Sequence, residues 1–153
     1  MKKITSFTID HLTLMPGLYV SRKDYLRSDV LTTFDIRLTA PNREEVLDTG
    51  TMHAIEHLGA TFLRNDSVWQ QKVIYFGPMG CRTGFYLILV GDLSVSEIID
   101  LVVRTFLFIA KYEGEIPGAK PSECGNYKDM NLLKSKKTAN RYLNNVLFNI
   151  HKK

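Results

Sequence analysis

Thr32-Thr33-Phe34-Asp35-Ile36-Arg37-Leu38-Thr39 alternates apolar and polar side chains from Phe34 onward. A period of two puts Phe34, Ile36 and Leu38 on one side of a β-strand and Asp35 and Arg37 on the other. Ala40-Pro41-Asn42 ends the run, since proline cannot donate to a sheet ladder. Before this strand, Ser6 to Asp10 alternates over a shorter stretch and predicts a first strand. After it, the chain predicts a helix from Thr51 to about Leu63, with Thr51 as N-cap. Val73 to Phe76 predicts a short apolar strand, and Phe85 to Val90, bounded by Gly84 and Gly91, a buried one. Ser94 and Glu97 form a capping box that opens a helix to about Tyr112. A last helix runs from about Leu132 to Phe148. The helices are grouped and do not alternate with the strands. That pattern predicts an α+β fold, an antiparallel sheet covered by helices on one face.

At 153 residues the chain is long enough for one domain, 1–153, with its own core. Its 44% apolar and 24% charged residues are ordinary for a globular protein. The most apolar run, Ile98 to Ala110, is broken by Asp100 and Arg104. It falls short of the roughly 20 apolar residues that span a bilayer. No apolar signal core follows Met1-Lys2-Lys3. The expectation is a cytoplasmic protein without a membrane partner. The formal charge is +4, with Lys134, Lys136, Lys137, Arg141, Lys152 and Lys153 gathered late. These read as the solvated face of a helix, not as a nucleic-acid interface.

His53-Ala54-Ile55-Glu56-His57 carries the chemistry. On a helix, positions four apart share a face, so both imidazoles can reach one ion, with Glu56 beside them. H-x-x-E-H is the inverted zincin pattern of metallopeptidases. Such pairs also arise by chance, and two ligands do not complete a site. Among the downstream Glu, Asp, Cys and His residues, Cys124 is the best third ligand. It lies on a loop and is followed by Gly125. Two imidazoles and a thiolate suit zinc, iron(II) or cobalt, and leave a position open. The other cysteine, Cys81, sits in Gly77-Pro78-Met79-Gly80-Cys81, a tight turn. Beside a cation or metal its thiol would ionise and act as base or nucleophile. The plainer reading is two small buried hydrophobes. His11 is either a surface histidine or a group that orients a substrate hydroxyl. Arg37 either clamps a carboxylate or pairs with Asp35 or Glu45.

Taken together, these stretches resemble the S-ribosylhomocysteine lyase family, which makes the precursor of autoinducer-2. The resemblance rests on Ser6-Phe7-Thr8-Ile9-Asp10-His11, Phe34-Asp35-Ile36-Arg37 with Ala40-Pro41-Asn42, and His53-Ala54-Ile55-Glu56-His57-Leu58. It rests further on Pro78-Met79-Gly80-Cys81-Arg82-Thr83-Gly84-Phe85-Tyr86 and Glu123-Cys124-Gly125-Asn126-Tyr127. It implies one divalent metal per subunit on His53, His57 and Cys124, with iron(II) first and zinc or cobalt as replacements. It implies that Cys81 and Glu56 are the catalytic pair and that Ser6, His11 and Arg37 hold S-ribosylhomocysteine. It also implies a homodimer with its active sites at the interface. Three departures from the family pattern stand out: Tyr75-Phe76-Gly77 in place of Asp-Ile-Ser, Met130 in place of His, and Leu12 in place of Thr. A peptidase of the inverted zincin type would need a third acidic ligand on another helix, and the only glutamates beyond the 94–112 helix lie in or near the loop at 113–123.

Overall fold

The computed structural model describes residues 1–4 and 7–152. Four strands, β1 (Gly17–Leu26), β2 (Asp29–Arg37), β3 (Val73–Pro78) and β4 (Gly84–Val90), form one antiparallel sheet in the order β1-β2-β4-β3. Helices α1 (Thr49–Asn65), α2 (Val95–Lys111) and α3 (Leu132–Asn145) follow the grouping that the sequence predicts. A 3₁₀ turn spans Leu147–Lys152.

The alternation in β2 decides the layering. Phe34 and Ile36 point into the core with Leu18, Phe85, Leu87 and Leu89, and the helices cover that face. In register, Phe34 stands beside Leu87 and Leu87 beside Phe76. α2 buries Ile98, Ile99, Leu101, Val102, Phe106 and Ile109 along a single broad stripe. Glu97 reaches back to the Ser94 N–H at 2.8 Å, which closes the first turn of α2. α1 approaches β3 closely at Gly59, where a Cβ would stand 2.4 Å from a ring carbon of Phe76. α3 is tied to the sheet by Tyr142, whose hydroxyl donates to the Gly17 carbonyl at 2.6 Å.

Three predicted boundaries are corrected. The strand expected at 6–10 is not formed over 7–10, which make turns, while Ser6 lies outside the described residues. The Asp10 carboxylate accepts from the Leu12 N–H at 2.9 Å, and the Asp10 carbonyl accepts from Leu14 at 3.2 Å. Such local bonds compete with a sheet ladder. The first strand is β1, an edge strand whose register shifts between Val20 and Arg22; that break and its run of charged residues hide the period of two. Second, α1 is capped by Asp48, which accepts from the Thr51 N–H at 2.9 Å, and Thr51 lies inside the helix. Third, α3 ends at Asn145, and Leu147 to Phe148 belong to the 3₁₀ turn.

Candidate metal centre and thiol site

His53 and His57 project from one flank of α1, with ring centroids 4.8 Å apart. Each ring is fixed by a carbonyl from the long segment after α2. His53 Nδ1 lies 3.0 Å from the Asp129 oxygen, and His57 Nδ1 lies 2.7 Å from the Pro117 oxygen. A carbonyl only accepts, so each Nδ1 donates and Nε2 is the nitrogen left to face a metal. This is the support that metal-ligating histidines use. The segment is anchored to the start of α1, where the Asn131 N–H donates to the Gly50 carbonyl at 2.9 Å.

Cys124 comes from the same segment. Its Sγ lies 3.3 Å from His53 Nε2 and accepts from the Asn126 N–H at 3.4 Å. One ligand atom from each of His53, His57 and Cys124 falls within 4.8 Å of the others, the only such group of three found among the described residues. A tetrahedral zinc, with nitrogen at about 2.05 Å and sulfur at about 2.3 Å, would hold N and S roughly 3.6 Å apart. The donor set therefore fits a divalent ion of the zinc, iron or cobalt type. The third donor is a thiol, not the carboxylate that a peptidase of the H-x-x-E-H type would place there. Glu56 is half-buried and lines a cleft of about 320 Å³ with His57, Ala60, Thr61, Pro117 and Gly118.

Cys81 belongs to a second cluster on the opposite side of the sheet from the helices. Arg37 projects from that face beside Asp35, which accepts from Nη2 at 2.5 Å and from Nε at 3.1 Å. The two are 2% and 3% exposed. Of the partners considered from sequence, Arg37 takes Asp35. Its remaining Nη1 faces the Cys81 sulfur at 3.8 Å. Cys81 itself is an exposed free thiol. Partial desolvation of the sulfur opposes ionisation. The Thr83 hydroxyl and N–H, followed by the Arg37 cation, outweigh it and hold the Cys81 thiol below its ordinary value. Burial raises the Asp35 carboxyl above its ordinary value against the pull of Arg37, and the charge of His11 also reaches Asp35. His11 sits in the turn after Asp10, its Nδ1 2.8 Å from the Ile9 oxygen. Among the described residues no hydrogen bond or ion pair joins the Cys81 cluster to the three candidate ligands.

The profile of the S-ribosylhomocysteinase (LuxS) family matches residues 4–153. The chain belongs to the LuxS family. An S-ribosylhomocysteine lyase from Finegoldia magna is 64% identical over 152 residues, covering 99% of this chain and 96% of the relative. One from Clostridium beijerinckii is 57% identical, covering 100% and 96%. One from Borreliella burgdorferi is 54% identical over 150 residues, covering 98% and 95%. For this LuxS member the H-x-x-E-H spacing pointed to both imidazoles. It did not point to Gly118, where φ is +75° and a Cβ would stand 2.9 Å from His57 Nδ1. The Pro117-Gly118 pair signals a turn, but nothing in it signals a histidine.

Proposed function

We propose that the chain is a metal-dependent lyase that cleaves the thioether of S-ribosylhomocysteine. The products are homocysteine and 4,5-dihydroxy-2,3-pentanedione, the autoinducer-2 precursor. The observation that carries this reading is the convergence of His53, His57 and Cys124 in a chain 64% identical to a protein named for that reaction. The site is inverted-zincin-like in its H-x-x-E-H helix and differs in its thiolate. A divalent ion bound there, iron(II) or in its place zinc or cobalt, supplies Lewis acidity to a substrate carbonyl and so acidifies the neighbouring C–H.

The chain's own groups then move protons. Cys81 Sγ, acting as thiolate, takes a proton from the carbon beside the carbonyl and returns it to the former carbonyl carbon. Glu56 exchanges protons with the substrate oxygens, which shifts the carbonyl from C1 to C2 and then to C3. A last abstraction by the same pair expels homocysteine by β-elimination. Ser6, His11 and Arg37 are the proposed substrate-holding residues, with Arg37 acting from beneath Cys81. A second copy of the chain brings its Cys81 cluster to the metal of the first, giving a homodimer with two sites at its interface. The reaction belongs in the cytoplasm, where free thiols stay reduced, and no described helix is long and apolar enough to cross a membrane.

Free-thiol release from S-ribosylhomocysteine by the metal-loaded protein tests this. Cys81→Ala and Glu56→Gln keep metal and lose about 10²-fold or more in turnover, the usual weight of a general acid–base group. Cys124→Ala loses the metal. Full turnover by Cys81→Ala would overturn the assignment.

A further inference from the structure

Thr83 lies two residues beyond Cys81, on the side of the sheet where Arg37 ends. It is 3% exposed, as deeply buried as the Asp35–Arg37 pair. Its Oγ1 accepts from Arg37 Nη1 at 2.5 Å and lies 3.1 Å from the Cys81 sulfur. The direction of this chain is fixed at one end. A guanidinium only donates, so the threonine oxygen accepts from it. A thiolate only accepts, so with the sulfur ionised the hydroxyl proton is the one that bridges the two. A hydroxyl whose oxygen is engaged by a cation is a stronger donor than a free one. The guanidinium is held by the two-point bond to Asp35, which uses Nε and Nη2 and leaves Nη1 as the edge that reaches across. Four side chains thus connect a buried carboxylate to an exposed sulfur, with Arg37 Nη1 also facing that sulfur directly at 3.8 Å.

We propose that Thr83 is a positioning residue that holds the Cys81 sulfur as thiolate by donating its hydroxyl to it, beside the direct approach of a guanidinium that Asp35 locks in place. The proposal deepens the lyase reading and rests on it for the role of Cys81, but its geometry stands without substrate or metal. The charged and titratable groups facing the sulfur are few. Arg37 and Asp35 come from β2. Tyr86 comes from β4, its phenol raised by burial and so neutral. Arg82, next to Cys81 in the chain, lines a separate groove with Lys134, Lys137 and Arg141. Among the described residues, Thr83 is the one neutral group that bonds both the cation and the sulfur.

The test is the pH profile of Cys81 alkylation by iodoacetamide in the metal-loaded protein, read by peptide mapping so that Cys124 is counted apart. Thr83→Val keeps the shape and removes the hydroxyl. Its midpoint moves up by about one pH unit, which is about a tenfold loss of thiolate near neutrality. Thr83→Ser restores the hydroxyl and returns the midpoint to that of the wild type. With S-ribosylhomocysteine, the valine form loses kcat while KM is held. An unmoved midpoint in Thr83→Val overturns the proposal. So does a Thr83→Ser midpoint displaced upward by a full unit, a measurement that stands even where the valine form does not fold. Failure of the wild-type protein to release thiol from the substrate would instead defeat the lyase reading, whatever the alkylation shows.

Discussion

At Gly118, φ is +75° and a side chain would press on the ring of His57. Any other residue is strained there by its backbone as well as by contact. The glycine lets the Pro117 carbonyl approach His57 Nδ1 to 2.7 Å. Gly118→Ala therefore displaces the carbonyl that fixes the tautomer of a candidate ligand, and losses of this type lower metal affinity by about 10- to 100-fold. Competition with a chromophoric chelator measures it, with circular dichroism as the control for folding. Undiminished affinity in the alanine form would show that the carbonyl does not set the ring. The same residues show what sequence carries. The spacing of His53 and His57 is local, because the helix itself converts four residues into one face. The carbonyls that fix their rings come from 76 and 60 residues away. A backbone oxygen has no residue identity, so no motif announces it.

Between elements, Asp66 does two jobs. It ends α1, its N–H bonding the Leu63 carbonyl, and its carboxylate accepts from the N–H groups of Val68 and Trp69 at 3.0 Å each. It also pairs with Arg104 of α2. Burial pushes its carboxyl up, but Arg104 and the two N–H groups outweigh that and hold it below the ordinary value of 3.8. A carboxyl lowered by folding stabilises the fold above its unfolded value, and that stability is lost as pH falls through the folded one. Asp66→Asn thus destabilises by roughly 1–3 kcal/mol at neutral pH, and the gap narrows once pH drops below 3.8. Urea midpoints at several pH values measure it; a gap that stays constant into acid would exclude the ion as its source. Element boundaries were legible where one residue alone fits the end, as at Ser94 with Glu97. At the start of α1, Asp48 and Thr51 are both competent caps three residues apart, and only the folded chain shows that Asp48 accepts the bond from Thr51. β1 was not legible, because an edge strand tolerates charges on both faces and a register shift erases its period.

For the whole molecule, the alternation of β2 was enough to foresee the layers, and its consequence is that one strand serves two sides. Phe34 and Ile36 fix the core on which α1 rests. Asp35 and Arg37 carry the Cys81 cluster on the other side. Among the described residues no hydrogen bond or ion pair joins Cys81 to His53, His57 or Cys124 of the same chain. If a second copy completes the site, each site takes Cys81 from one subunit and the metal from the other. Cys81→Ala and Cys124→Ala are then each inactive alone, but a mixed dimer holds one intact site and one doubly damaged one. Random pairing after co-refolding makes half of the dimers mixed, so the mixture recovers about a quarter of wild-type turnover. Thiol release before and after subunit exchange reads this directly, with size-exclusion chromatography confirming the dimer. No recovery after verified exchange would mean that Cys81 meets the metal within its own chain, and the shared-interface arrangement would be abandoned while the lyase chemistry stood.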